Sequence, residues 1–152
     1  MQITRVELEN VKTYESGSVD FAGGTNAICG ENGAGKSTLL EAIGLALFGY
    51  SPAKLRLEQL VREGQKSGTI TVHLLANDGR DYQIVRRLGR TGYFVYDPEL
   101  KVRLAEGVAD VQAWLCGAMG VPAGIVLAGL FSDAIGVPQG LLSAVFLEGK
   151  PE

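Results

Sequence analysis

One glycine-rich stretch limits the folds available to this chain more than any other feature of its sequence. Residues 30–37 read GENGAGKS and match the phosphate-binding loop pattern G-x-x-x-x-G-K-[ST] at every fixed position. Glycines let the backbone adopt positive φ angles and approach a ligand closely, so that successive amide groups can point at phosphate oxygens. The stretch therefore predicts a phosphate-binding loop between a strand and a helix.

The segments on both sides of residues 30–37 fit that context. Residues 25–29 are small and apolar, which predicts a short buried strand that enters the loop from a sheet. From Lys36 onward apolar residues recur at helical spacing, and Gly49 and Pro52 then predict the end of the helix. The apolar stripe of this helix consists of Leu39, Ile43, Ala46 and Leu47.

The polar residues of the loop predict nucleotide chemistry. Lys36 can carry its positive charge to the β- and γ-phosphates, and we expect it to act in both binding and catalysis, while the Ser37 hydroxyl can ligate Mg²⁺. The helix N-terminus adds a partial positive charge. The loop therefore predicts that the chain binds a nucleoside triphosphate together with Mg²⁺. The loop residues expected to contact the nucleotide are Asn32, Gly33, Ala34, Gly35, Lys36, Ser37 and Thr38.

The length and composition of the chain narrow its class. Its 152 residues suggest one domain. A net charge of −3 and a pI near 5.2 argue against a free-standing, electrostatically driven nucleic-acid binder. No apolar run reaches the roughly 18 residues that a membrane span needs, and the N-terminus lacks a secretion pattern. We therefore expect a cytoplasmic protein without a membrane partner.

The cysteines and the histidine do not form a recognisable catalytic or metal site. Cys29 and Cys116 lack the clustered cysteines and histidines of a metal centre, and we expect both to be reduced and buried. His73 lies in a strand pattern without a nucleophile signature nearby. It is therefore expected to be an exposed or half-buried strand residue.

Alternating apolar and polar residues predict most of the remaining elements. They indicate strands at residues 2–10 and 18–21, and an antiparallel meander over residues 68–76, 81–88 and 92–96. The sequence NDGR at residues 77–80 is a strong hairpin turn, while residues 51–65 are expected to form a loop with a short helical turn.

The last third of the chain predicts a helix and then a return to the nucleotide. Helical spacing joins Val108, Val111, Leu115, Ala118 and Met119, whereas residues 124–131 are apolar and only weakly helical. Residues 134–138 are expected to form a short buried strand that delivers Gln139, followed by an amphipathic segment at 141–147. The predicted fold is thus an α/β P-loop NTPase lobe, with a mixed sheet around the loop helix and an antiparallel meander.

Three motifs in order give the chain a resemblance to a known family. NVKTY at residues 10–14, the loop at 30–38 and VPQG at 137–140 with its leucine-rich continuation together resemble the SbcC-type DNA double-strand-break repair ATPases. That family is related to the structural-maintenance-of-chromosomes (SMC) proteins and, in fold, to ABC ATPases. The similarity runs across essentially all 152 residues.

The resemblance implies an organisation and partners for the chain. Residues 1–152 are similar to the N-terminal lobe of the family's ATPase head, and the coiled coil is expected to start at about residues 141–152. Implied partners are the C-terminal lobe, a second head that dimerises on ATP, a nuclease subunit and DNA. The implied function is an ATP- and Mg²⁺-binding half of a DNA-repair ATPase head.

The resemblance also implies roles for residues outside the loop. Gln139 matches the family's Q-loop glutamine and is expected to contact Mg²⁺ and the attacking water, which makes it a catalytic and metal residue. Lys12 matches a basic residue that touches the nucleotide phosphates. Residues Val61, Arg62 and Glu63 match a segment that lines the nucleotide.

Parts of a hydrolytic head are not recognisable in the sequence. A Walker B acid is expected at the end of an apolar strand, and the nearest candidate is YFVYD at residues 93–97, which Pro98 follows at once. We interpret it as an accidental match, and no Leu-Ser-Gly-Gly signature occurs. The sequence therefore predicts an ATPase as part of the full head and an inactive fragment in isolation.

Two other functions stay open from the sequence. One is a self-sufficient P-loop kinase or GTPase, although no Asn-Lys-x-Asp guanine-reading segment is present. The other is a lobe of a RecF-like or transporter ATPase of the same superfamily. Residues 10–14 and the leucines after Gln139 favour the coiled-coil class.

Overall fold

A computed structural model describes residues 1–29, 35–51 and 55–132 of the chain. These residues form six strands, three α-helices and one 3₁₀ turn. In chain order the elements are β1 Gln2–Val11, β2 Tyr14–Asp20, α1 Lys36–Phe48, the 3₁₀ turn Leu57–Leu60, β3 Gly68–Leu75, β4 Asp81–Leu88, β5 Tyr93–Asp97, β6 Val102–Glu106, α2 Val108–Met119 and α3 Leu127–Leu130. No helix in this part of the chain combines the length and apolar character that crossing a membrane requires.

The six strands form one sheet in the order β2-β1-β3-β4-β5-β6. All five pairings between these strands are antiparallel, which confirms the predicted meander and its turn at residues 77–80. The α/β class is confirmed, but the mixed sheet is not seen in the described residues. The sequence predicts two further strands, at residues 25–29 and 134–138. Residues 25–29 pair with no strand, and 134–138 lie outside the described residues.

The core lies between one face of the sheet and α1. The period of two puts Val6, Ile70 and Ile84 on the covered face, where each is fully buried. Helix α1 buries Leu39, Ala46 and Leu47 of its predicted stripe against them. Burying a side chain of this size stabilises a fold by roughly 1.5–3 kcal/mol. The contact of α1 with β1, β3 and β4 therefore fixes where the helix, and its N-terminus, stand on the sheet.

The end of α1 follows the sequence signal. Gly49 adopts a left-handed conformation with φ 65°, and its amide donates to the Leu45 carbonyl at 3.1 Å. This is the C-terminal glycine cap predicted from the sequence. One turn earlier, a Cβ placed at Gly44 would lie 2.7 Å from the Phe131 ring. Close packing of the ring after α3 against α1 thus depends on a glycine within the helix.

The structure differs from the prediction at the start of α2, at the start of β2 and in an additional strand, β6. The helix spans Val108–Met119 as predicted, but Val108 is exposed, because the buried stripe begins only at Val111. Strand β2 starts at Tyr14 rather than residue 18, since Tyr14 pairs with Val11 of β1. Strand β6 was not predicted. Its side chains are mostly exposed, so backbone pairing with β5 forms it without an alternating burial pattern.

The prediction of a strand at residues 25–29 is wrong, and it is the main difference between the predicted and the observed elements of the described chain. These residues form no strand, and Ile28 and Cys29 are exposed, so the prediction that Cys29 is buried is wrong. A strand needs a neighbour for its backbone hydrogen bonds, and no described strand pairs with this segment. Cys116 is buried as predicted, and His73 is a half-buried strand residue whose Nε2 lies 3.0 Å from Glu7 Oε2.

Several predicted site residues and segments lie outside the described residues. They are Asn32, Gly33 and Ala34 of the loop, Gln139, the strand 134–138, the segment 141–147 and the coiled-coil start.

Candidate nucleotide-binding site

Gly35, the last glycine of the loop, leads directly into α1. Gly35 stands immediately before the helix with φ 92° and ψ 12°, a left-handed conformation that favours glycine. Its carbonyl accepts the first helical bond, from the Leu39 amide at 3.1 Å. The first amides of a helix have no acceptor within the helix, so this turn can present N–H groups and a positive dipole end to an anion.

The three residues after Gly35 differ in what they can offer a ligand. Lys36 is half-buried and Ser37 is exposed, so both side chains can reach a ligand at the start of α1. Thr38 is only 8% exposed, because it turns toward the core. Thr38 can therefore contact a ligand through its backbone amide, which belongs to the first turn of the helix, and not through its side chain.

Tyr14 holds the last glycine of the loop from the side. Its hydroxyl donates to the Gly35 carbonyl at 3.2 Å, and a Cβ at Gly35 would lie 2.7 Å from a carbon of the Tyr14 ring. Only a glycine therefore fits at position 35 beside this tyrosine. The sequence placed Tyr14 in a family motif but did not identify it as a site residue, since the contact joins residues that are 21 positions apart.

We predict that Gly35→Ala weakens ATP binding at least tenfold, because the added Cβ meets the Tyr14 ring and the left-handed backbone costs roughly 1–3 kcal/mol. Gly120→Ala is the matched control, since Gly120 is also left-handed at φ 71° but has open space around its Cβ position. Fluorescence titration with ATP measures both variants. Equal loss of affinity in the two would contradict the role of the Tyr14 contact.

Lys12 lies at the same end of α1, on the short turn between β1 and β2. Asn10 and Lys12 both have positive φ angles, 50° and 47°, which are uncommon for residues with a side chain. The Lys12 amide donates to the Leu60 carbonyl at 2.9 Å. Its ammonium forms an ion pair with the Glu41 carboxylate of α1. The turn thus directs the predicted phosphate-contacting lysine toward the helix that follows the loop.

The segment predicted to line the nucleotide joins the same turn. Val61 forms an antiparallel bridge with Val11, and the Arg62 amide donates to the Asn10 carbonyl at 2.8 Å. The Arg62 guanidinium lies 3.2 Å from the Glu15 carboxylate, whereas Glu63 is exposed. Residues 61–63 and Lys12, which are far apart in sequence, are therefore neighbours beside α1.

A cavity borders the start of α1. It has a volume of about 330 Å³ and includes the exposed residues 26–29 in its wall. Tyr14, Phe21, Lys36 and Leu39 line the rest of it together with Val19 and Asp20. The cavity is open space next to the loop lysine, bounded by a segment that has no strand partner within the described chain.

The described residues fit the predicted cofactors. Gly35 brings the chain into α1 with a left-handed backbone, Lys36 supplies a cation for phosphate oxygens, and Ser37 supplies a hydroxyl, the hard oxygen ligand that Mg²⁺ prefers. The position of these groups at a helix N-terminus is the usual setting for bound phosphate.

Asp97, the acid of the Walker B-like segment, is committed to a structural task. It is fully buried at the end of β5, where Oδ2 accepts from Arg80 Nη2 at 2.6 Å. Oδ1 accepts from the amides of Glu99 and Leu100 at 2.9 and 3.0 Å. Burial raises the pKa of Asp97. The two amides and Arg80 lower the pKa by more than burial raises it, so it lies below the ordinary value. The segment caps a turn on the side of the sheet remote from β1.

We expect Asp97→Asn to lower the thermal midpoint at neutral pH, because a neutral amide cannot hold Arg80 and both turn amides equally well. The lowered pKa means that Asp97 stabilises the fold above its unfolded pKa of about 3.9. That contribution is lost as the pH falls through the folded pKa. Melting curves at neutral and strongly acidic pH should therefore show a gap between parent and variant that narrows in acid. A constant gap would contradict this role.

The chain resembles known proteins in sequence. A family profile described as "AAA domain" matches residues 5–105. The chain is 30% identical over 148 residues, 97% of its length, to a protein of Archaeoglobus fulgidus named DNA double-strand break repair Rad50 ATPase. It is 40% identical over 91 residues, 59% of its length, to the protein of the same name from Methanopyrus kandleri. The chain spans only 15% and 10% of these two relatives.

A solved structure supports the fold independently. Its chain belongs to work on ATP-driven dimerization and DNA-stimulated activation of SMC ATPases, and it superposes with a TM-score of 0.64. The match covers 96% of this chain and 98% of the solved one at 21% identity. At this identity the likeness concerns the fold.

Proposed function

The chain belongs to the AAA-domain family and is an SbcC/Rad50-type N-terminal head lobe, and we propose that it binds ATP with Mg²⁺ as one half of a DNA-repair ATPase head. One observation carries the proposal. The β1–β2 turn and the end of the glycine loop converge on the start of α1, through the Tyr14 hydroxyl on the Gly35 carbonyl. This contact supports the proposal, because it holds the turn that carries Lys12 against the glycine that precedes Lys36.

Each group at this place has a proposed task. Lys36 and Lys12 neutralise phosphate charge, and the amides of the first turn of α1 orient the phosphate oxygens. Residues 61–63 form the side of the site nearest Lys12. Mg²⁺, when bound, would neutralise developing charge on the phosphates, and Ser37 and Gln139 are its proposed ligands.

The site is proposed to be only half of a catalytic centre. Phosphoryl transfer to water depends on positioning and charge stabilisation, and an acid is needed to orient the water. Asp97 has both oxygens occupied and is remote from β1 in the sheet order. The exposed residues 25–29 beside the 330 Å³ cavity offer backbone groups to a further strand. We propose that the C-terminal lobe supplies that strand and the acid.

The wider assembly is proposed from the relatives. A second head that dimerises on ATP, a nuclease subunit and DNA are the proposed partners, with a coiled coil that starts near residues 141–152. A cytoplasmic or nucleoid-associated location is proposed, and the second accords with a task on DNA. A RecF-like lobe is the second candidate, because the phosphate loop is common to both. A self-sufficient kinase or GTPase is disfavoured by the structural task of Asp97.

ATP binding tests the proposed function directly. We expect calorimetric titration of the 152-residue chain with ATP to give one binding site in the presence of Mg²⁺ and a much weaker one after EDTA treatment. GTP titrated in parallel distinguishes the GTPase reading. Absence of ATP binding by a folded chain, or a clear preference for GTP, would contradict the proposal.

A further inference from the structure

Glu41 is an acidic residue at the candidate site that the sequence motifs did not single out. Its carboxylate forms an ion pair with the Lys12 ammonium. The two side chains are 25% and 30% exposed, so the pair is partly withdrawn from water and less screened than a surface pair. Such a contact merits a functional explanation, because Lys12 is a proposed phosphate-binding residue.

The position of Glu41 on α1 connects it to the phosphate site. It follows Ser37 by four residues, so both lie on one face of the helix, about one turn apart. Ser37 is exposed at the first turn, and Glu41 is half-buried beneath it. An ammonium held by Glu41 is therefore kept close to the turn where phosphate is proposed to bind.

The backbone of Lys12 is already fixed, so only its side chain can still change conformation. The left-handed φ of 47° and the bond from its amide to the Leu60 carbonyl hold the turn in place. A lysine side chain has a flexible four-carbon stem, and ordering such a stem on binding costs affinity. An ion pair at the end of the stem removes most of that cost beforehand.

We infer that Glu41 is a positioning residue that holds the Lys12 ammonium ready for the phosphates of the nucleotide. The inference rests on the proposed ATP-binding function. An ammonium carries three N–H donors, so one bond to Glu41 leaves two for phosphate oxygens. Glu41 therefore acts through Lys12, and its carboxylate need not leave when the nucleotide binds.

A double-mutant cycle on ATP affinity tests this role. Calorimetric titrations with ATP and Mg²⁺ compare the 152-residue chain with Glu41→Gln, Lys12→Ala and the double variant. We expect each single change to weaken binding about five- to tenfold, and the double variant to bind no more weakly than Lys12→Ala alone. Glu41→Asp, which keeps the charge, should recover part of the affinity, and the thermal midpoints should stay close to the parent value.

Glu99→Gln is the matched control, because it also removes a carboxylate from an ion pair. Glu99 Oε2 lies 3.3 Å from Arg80 Nε, and this pair is remote from the candidate site. It should leave ATP affinity unchanged. If ATP binding depends on Lys36 but Glu41→Gln leaves the affinity unchanged or raises it, the positioning role of Glu41 is wrong. The proposed ATP-binding function would still stand. Additive losses in the double variant overturn it as well. A folded chain that binds no ATP overturns both this role and the proposed function.

Discussion

Lys36→Ala is expected to weaken ATP binding by at least about 30-fold. Removing the ammonium leaves the phosphate charge without its main side-chain partner, and truncating one member of such a pair costs roughly 2–5 kcal/mol. Lys36 is the first residue of α1 and follows a glycine held by Tyr14, so it stands at the helix N-terminus. Calorimetric titration with ATP and Mg²⁺ measures the effect.

Lys101→Ala provides the control for that measurement. Lys101 is an exposed lysine in the turn before β6, at the opposite edge of the sheet from β2. It should leave ATP affinity unchanged, and circular dichroism should show both variants folded. Comparable losses in the two variants would mean that ATP responds to overall charge rather than to the loop.

The 152-residue chain alone is expected to hydrolyse ATP at the background rate, and a C-terminal lobe is expected to restore turnover. Loss of one transition-state contact typically costs 10²–10³-fold, or roughly 2.7–4 kcal/mol. Two such contacts, a water-orienting acid and a signature segment, are proposed to come from outside the chain. Together they would slow the reaction by roughly 10⁴-fold or more. Steady-state phosphate release, with and without an added C-terminal lobe, measures this.

A substitution at Gln139 tests the catalytic role proposed for this residue. In the reconstituted head, Gln139→Ala should lower kcat much more than it alters ATP affinity, because its proposed contacts are to water and metal. An increase in KM at constant kcat would instead make Gln139 a ground-state binding residue.

The helix after the loop and the core elements were predictable because their signals are local. Apolar residues at helical spacing indicate α1, and the alternation of Ile70, Val72 and Leu74 indicates a half-buried strand. The cap at Gly49 was also readable, because a helix that ends in a left-handed glycine has a simple sequence sign. These features depend on neighbours within a few residues.

The errors and omissions concern features that depend on distant partners. Residues 25–29 have the composition of a buried strand, but a strand forms only where another strand accepts its hydrogen bonds. Strand β6 forms by pairing with β5 despite its exposed side chains. Glu41 looked like an ordinary helix residue, and only the turn that carries Lys12 gives it a task.

A single sample can test the proposed half-site most directly. The 152-residue chain is saturated with ATP and Mg²⁺, freed of unbound nucleotide, incubated for several hours, and the bound nucleotide is then extracted and identified. The proposed function predicts that the nucleotide is still ATP, at about one per chain, and that Lys36→Ala retains almost none. Recovery of ADP and phosphate from the parent chain, at a rate abolished by Lys36→Ala, would contradict it, because the chain would then contain a complete hydrolytic site.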